Sequence, residues 1–172
     1  SCEPNPRYSG MPSLADMTAV ALNHFEESAS FMLMVESASI DKQSHVRRPC
    51  GSIGELAQLN EALAVALEYA QSHPETLILI TADHAQAAQM LTPEGSFLPL
   101  NFSSPGYFAR VLTPEGSIMG VNYATNDSPM REYHTGAQVP LYAFGAGANT
   151  LPTFIHQAEI FNIMAQHLGL HN

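Results

Sequence analysis

Two short, mostly apolar, β-favouring runs, residues 31–36 and 76–82, bracket a long helical pattern. That order constrains the fold more than any other feature. From Gly51 to His73, Leu56, Leu59, Leu63, Ala66 and Ala70 recur at three- and four-residue spacing, and Pro74 stops the run. Strand, long helix, strand is a βαβ unit, so the predicted class is α/β: a mixed, largely parallel central sheet flanked by helices, with a right-handed connection. Ser13-Leu-Ala-Asp16 is a capping-box start for a helix to about Phe25. Strands are expected over Ser117–Ala124 and Val139–Phe144, and a last helix from about Phe154 to Leu168, stopped by Gly169. Between 91 and 130 the character changes. The hexapeptide Leu-Thr-Pro-Glu-Gly-Ser occurs at 91–96 and again at 112–117, and both copies read as hairpin or loop turns.

Sixteen acidic against six basic residues, a formal net charge of -10, disfavours a nucleic-acid surface, which needs a basic patch. No apolar run reaches the roughly 20 residues that span a bilayer. Lys42 is the sole lysine. An acidic excess with almost no lysine suits a protein kept soluble in high salt, and equally an ordinary acidic surface. Cys2 and Cys50 each lie beside prolines in apparent loops. One disulfide in an oxidising compartment and two separate thiols both remain open on spacing alone. The chain begins Ser1-Cys2-Glu3-Pro4, without Met or signal peptide, and is expected to be a piece starting inside a loop.

The ends of the two apolar runs carry the chemistry. Asp41 and His45 follow the first run four residues apart, so one helical turn brings both to one face. Carboxylate and imidazole together suit zinc, although an i,i+4 polar pair on a surface turn looks the same. Asp83-His84 closes the second run. Both can turn inward at a strand mouth, or Asp83 can cap a helix over 84–91. His134 lies in a loop just before a predicted strand. Asp41, His45 and His134 would make three ligands, enough for a zinc with an open position. Asp83 and His84 are one short for a second zinc. Glu36 is an oxygen donor better suited to magnesium. His24, His73, His156, His167 and His171 sit on helices or at their ends and read as structural.

Glu36-Ser-Ala-Ser-Ile-Asp-Lys-Gln-Ser-His45, Thr81-Ala-Asp-His84 and His134-Thr-Gly136 resemble the C-terminal part of bacterial alkaline phosphatases, in order and over nearly the whole chain. The resemblance implies that residues 1–172 are the C-terminal portion of one alkaline phosphatase-like domain, with 91–130 a loop or hairpin insertion. It implies two zinc ions and one magnesium per complete subunit. Asp41, His45 and His134 match ligands of the first zinc, Asp83 and His84 of the second, and Glu36 of the magnesium. Lys42 matches a lysine that reaches phosphate through water, and Cys2 with Cys50 a disulfide. The family's nucleophilic serine belongs to its N-terminal half and has no match here. The implied activity is hydrolysis of phosphate monoesters through a phosphoserine, by a periplasmic or secreted homodimer that binds inorganic phosphate and needs its N-terminal portion. Phosphodiesterases or phosphomutases of the same superfamily, or a non-catalytic metal-binding fragment, are the alternatives. Two positions depart from the family. Gln86 stands where a histidine often supports a zinc ligand, and Ser44 where an acidic residue is common.

Overall fold

The computed structural model describes residues 2–3, 9–86, 89–92, 107–123 and 130–170. They gather into two compact units. The first draws on 1–11, 36–59 and 84–138, the second on 12–35, 60–83 and 139–172.

In the second unit, α1 (Leu14–His24) starts where its sequence says it should. Ser13 accepts from the Asp16 amide at 3.0 Å while Asp16 Oδ2 accepts from the Ser13 amide at 2.9 Å, a closed capping box. The Ser13 hydroxyl, donating to Asp16 Oδ2 at 2.8 Å, and then the Ser13 amide hold the Asp16 carboxyl below its ordinary pKa. Leu22, Ala62 and Ala70 are the buried apolar side chains of this unit. Phe25 stacks on Phe31 with centroids 5.0 Å apart, Phe31 meets Tyr69 edge-on, and Tyr69 stacks on His73 at 3.9 Å. This aromatic row ties the segment after α1 to the later turns of α3 (Pro49–Ser72).

The strand expected over 76–82 forms as β1 (Leu77–Thr81), but it pairs antiparallel with β7 (Leu141–Gly145), from Leu77 opposite Gly145 to Thr81 opposite Leu141. Residues 31–36 keep a strand-like alternation, with Phe31, Leu33 and Val35 partly buried and Met32 and Met34 exposed, yet they join no ladder. The parallel βαβ pairing expected from the strand–helix–strand order is therefore not made, and every ladder among the described residues is antiparallel. Alternation reports which face a residue uses. Which strand lies alongside is decided by residues 60 positions away in sequence. Near its C-terminus, α4 (Ile160–His167) ends as predicted at Gly169, whose φ of 69° lets the Leu170 amide reach back to the Ala165 carbonyl at 2.9 Å.

The first unit holds α2 (Ser39–His45), the opening turns of α3, and five strands paired antiparallel in two sheets. Pro49 begins α3, as a proline can where the amide has no helical partner. Cys50, in that first turn, is bonded to Cys2. Ser44 is buried with its hydroxyl 2.9 Å from that of Ser52 on α3, so this position serves helix packing here. One sheet is β2 (Ala85–Gln86) with β6 (His134–Thr135). A helix over 84–91 is thus ruled out by the strands that occupy it. The other sheet orders β3 (Gln89–Thr92), β5 (Ile118–Tyr123) and β4 (Tyr107–Leu112). The second Leu-Thr-Pro-Glu-Gly-Ser copy makes the β4–β5 turn, closed by Gly116 at φ 84° and a Gly116 amide to Thr113 carbonyl bond of 2.9 Å. Of the first copy, residues 93–96 lie outside the described residues. Val121 and Tyr123 form this sheet's core, covered by Ala109 and Val111.

Candidate metal centre

The first unit brings a carboxylate and three imidazoles to one place. Asp41 and His45 share a face of α2, as their spacing requires, with His45 Nε2 3.3 Å from Asp41 Oδ2. The β2–β6 ladder sets His134 opposite Gln86, two residues after His84 in sequence. His134 Nε2 lies 3.1 Å from His45 Nε2 and 3.2 Å from Asp41 Oδ1. His84 stacks on the His134 ring with centroids 3.6 Å apart, its Nε2 4.0 Å from Asp41 Oδ1.

The tautomers follow from the acceptors. His45 Nδ1 is 2.5 Å from the Glu132 carbonyl oxygen, which can only accept, so Nδ1 carries the proton and a neutral ring keeps its lone pair on Nε2. His84 Nδ1 likewise faces the Ala85 carbonyl at 3.3 Å. Each of these rings therefore turns Nε2 toward Asp41. Asp41 Oδ1 is buried and accepts no hydrogen bond among the described residues.

This donor set fits a divalent cation. His45 Nε2 and His134 Nε2 stand 3.1 Å apart and lie 3.3 and 3.2 Å from different Asp41 oxygens, Oδ2 and Oδ1, and one donor atom from each residue falls within 4.8 Å of the others. Ligand atoms on a tetrahedral zinc with bonds of 2.0–2.1 Å stand about 3.3 Å apart. The two Nε2 atoms meet at 3.1 Å beside Asp41, whose buried Oδ1 has no hydrogen-bond partner among the described residues. Among the described residues, Asp41, His45 and His134 are the one group of three whose donor atoms can share an ion.

The other expected site residues are placed differently. Asp83 is exposed in the second unit, where its carbonyl accepts from Gln157 Nε2 at 2.7 Å. Glu36 is exposed just ahead of α2. Lys42 is exposed on α2, next to Asp41 in sequence. Gln86, expected to support a ligand by hydrogen bonding, has no partner for Oε1 or Nε2 among the described residues. Two residues that the sequence did not single out adjoin the cluster. Glu132, fully buried, accepts from Arg47 Nε at 2.6 Å and donates its amide to the His45 carbonyl at 2.9 Å. No local pattern could have paired them, since they stand 85 residues apart.

Residues 5–105, more than half the chain, match the family model of alkaline phosphatase. The chain belongs to the alkaline phosphatase family. It is 38% identical to the alkaline phosphatase of Escherichia coli, over 99% of this chain but only 35% of that protein. Alkaline phosphatase H of Pseudomonas aeruginosa is 36% identical, covering 99% and 34% of the two. Streptomycin-6-phosphate phosphatase of Streptomyces griseus is 35% identical, over 96% and 37%. The chain thus spans about a third of the length of these relatives and is a portion of such a protein. Its fold is that of solved alkaline phosphatases. The enzyme of the Antarctic bacterium TAB5 superposes with a TM-score of 0.70 at 20% identity, over 98% of this chain and 44% of that one. A mutant of the same enzyme, described with Mg bound in its M3 site, gives 0.72 over 98% and 45%. The mixed α/β class expected from the sequence therefore stands, although the ladders within this portion are antiparallel.

Proposed function

We propose that this chain supplies metal ligands to a phosphomonoesterase, an alkaline phosphatase that hydrolyses phosphate monoesters through a phosphoserine. The observation that carries the reading is the Asp41–His45–His134 cluster, whose donor atoms all lie within 4.8 Å of one another. These three residues hold one zinc. Asp83 and His84 serve a second zinc and Glu36 a magnesium, each completed by groups outside these 172 residues. Lys42, solvent-facing beside Asp41, reaches bound phosphate through water. The metals supply Lewis-acid stabilisation of charge on the transferring phosphoryl group. The chain's own part is to fix where that charge sits. The Glu132 carbonyl holds the His45 proton at Nδ1, which turns the Nε2 lone pair toward the site.

The same reading makes the protein a periplasmic or secreted homodimer whose serine nucleophile lies in an N-terminal portion. Large apolar side chains left exposed in the second unit support a covering polypeptide, with Met34 78% and Tyr142 62% exposed. The test is to assay the chain alone and mixed with the N-terminal portion, using a chromogenic phosphomonoester with zinc and magnesium supplied. Activity is expected only in the mixture. Activity of the 172 residues alone, or a preference for diesters, refutes the reading. Metal analysis of His134→Ala should show one zinc fewer per chain, and unchanged stoichiometry refutes that ligand.

A further inference from the structure

Arg47 and Glu132 form a buried ion pair that the metal reading does not use. Glu132 is fully buried and the Arg47 side chain is 13% exposed, with Nε 2.6 Å from Oε1. Such a pair is weak evidence for stability, because two desolvated charges repay their hydration poorly and an apolar pair of equal volume often does as well. Its geometry points elsewhere. Arg47 follows the end of α2 and has φ 58°, the one non-glycine residue with positive φ among those described. Arg47 closes α2 in a Schellman cap, its amide bonded to the Ser44 carbonyl at 3.0 Å and the Arg48 amide to the Gln43 carbonyl at 2.9 Å. From that capping position its guanidinium meets Glu132. Glu132 in turn takes hold of His45 twice, donating its amide to the His45 carbonyl at 2.9 Å and accepting from Nδ1 at 2.5 Å. Two residues further on stands His134, whose Nε2 is 3.1 Å from that of His45.

One residue therefore ties the segment bearing His134 to the helix end bearing Asp41 and His45. We infer that the Arg47–Glu132 pair is a positioning device for the metal centre. It clamps residues 130–135 to the end of α2 and sets both the His45 tautomer and the His45–His134 separation, so zinc affinity depends on two residues that touch no metal. The affinity half of this inference rests on the metal-centre reading above, whereas the clamp itself concerns the metal-free protein.

The test compares the full chain with Arg47→Lys, Glu132→Gln and the double variant Arg47→Met/Glu132→Met, which removes both charges and strands neither. Nitrogen-15 spectra of the metal-free His45 ring report the tautomer, and competition with a chelator reports the affinity for Zn2+ alone. The parent chain should show His45 protonated at Nδ1. The double variant, with cooperative unfolding retained, should show mixed tautomers and bind zinc about 10- to 100-fold more weakly, the usual loss for an outer partner of a ligand. Arg47→Lys, which keeps a cation, should recover most of the affinity. A purely structural pair would lower the melting temperature and leave both readouts unchanged, and that result overturns the inference. Should the double variant not fold, Glu132→Gln decides: weaker zinc binding with tautomer mixing supports the clamp, and parent-like values refute it. A parent chain that binds no zinc overturns the metal reading and the affinity half together. The tautomer comparison still judges the clamp in that case.

Discussion

Tyr123 offers the sharpest link between burial and pH in this chain. Its side chain is fully buried in the β3–β5–β4 sheet, its hydroxyl has no hydrogen-bond partner among the described residues, and the Glu132 carboxylate lies close enough to oppose a second negative charge. Burial first, and Glu132 second, push its pKa up to about 12, from an ordinary value near 10. The folded state therefore holds this proton over a range in which the unfolded chain releases it. The contribution is fully present below pH 10 and is lost as pH rises from 10 through 12, because there the unfolded state binds fewer protons. Two pKa units at about 1.4 kcal/mol each set the size at about 2–3 kcal/mol. Tyr123→Phe removes the titrating group and the orphan hydroxyl while keeping the ring. Urea unfolding of both proteins at pH 8, 10 and 11.5 isolates the effect. The stability difference between variant and parent should shift in favour of the variant by about 2 kcal/mol between pH 8 and 11.5. A difference independent of pH would show that Tyr123 ionises as easily folded as unfolded, and the burial argument would fail.

Three further perturbations have definite signs. Reducing the Cys2–Cys50 bond, which closes a 48-residue separation, should cost about 4 kcal/mol in the chain-entropy account, read as a lower urea midpoint under reductant. Gly145→Ala should destabilise by about 2 kcal/mol or more, because φ is 88° there and a Cβ would run into the Thr76 carbonyl, so the melting temperature should fall by several degrees. Ser13→Ala should cost about 1 kcal/mol at neutral pH through the lost cap. Asp16 has its pKa lowered by that cap, so its contribution is present above about pH 4 and fades as acid protonates it. The penalty of Ser13→Ala should therefore shrink on acidification, as a thermal melt at each pH would show.

Where an element was legible in advance, the information was local. Ser13 and Asp16 lie three residues apart and close their own capping box. Pro74 and Gly169 end helices by their own backbone limits, and Thr113–Ser117 makes a turn from Pro114 and Gly116. Asp41 and His45 are in the same category, since a helix places i and i+4 together whatever surrounds it. Counting candidate ligands added His134 to that pair, the resemblance to alkaline phosphatases matched it, and the structure brings its Nε2 to 3.1 Å from that of His45. Residue types and short spacings thus determined the helices, the turns and the kind of ion the ligands suit.

Tertiary structure alone decided the rest. Leu77–Thr81 reads as a strand with or without a partner, but only the fold chose β7, antiparallel, and left 31–36 without a ladder. Gln86 has the chemistry to support a ligand, yet opposite His134 in its ladder its side-chain amide has no partner among the described residues. Arg47 and Glu132 carry no pattern at all, because their pairing joins two segments 85 residues apart and draws its strength from exclusion of water. Hydrogen bonds within one turn are set by the covalent chain, whereas ladders and buried charges depend on which distant segment arrives, and that is settled by packing.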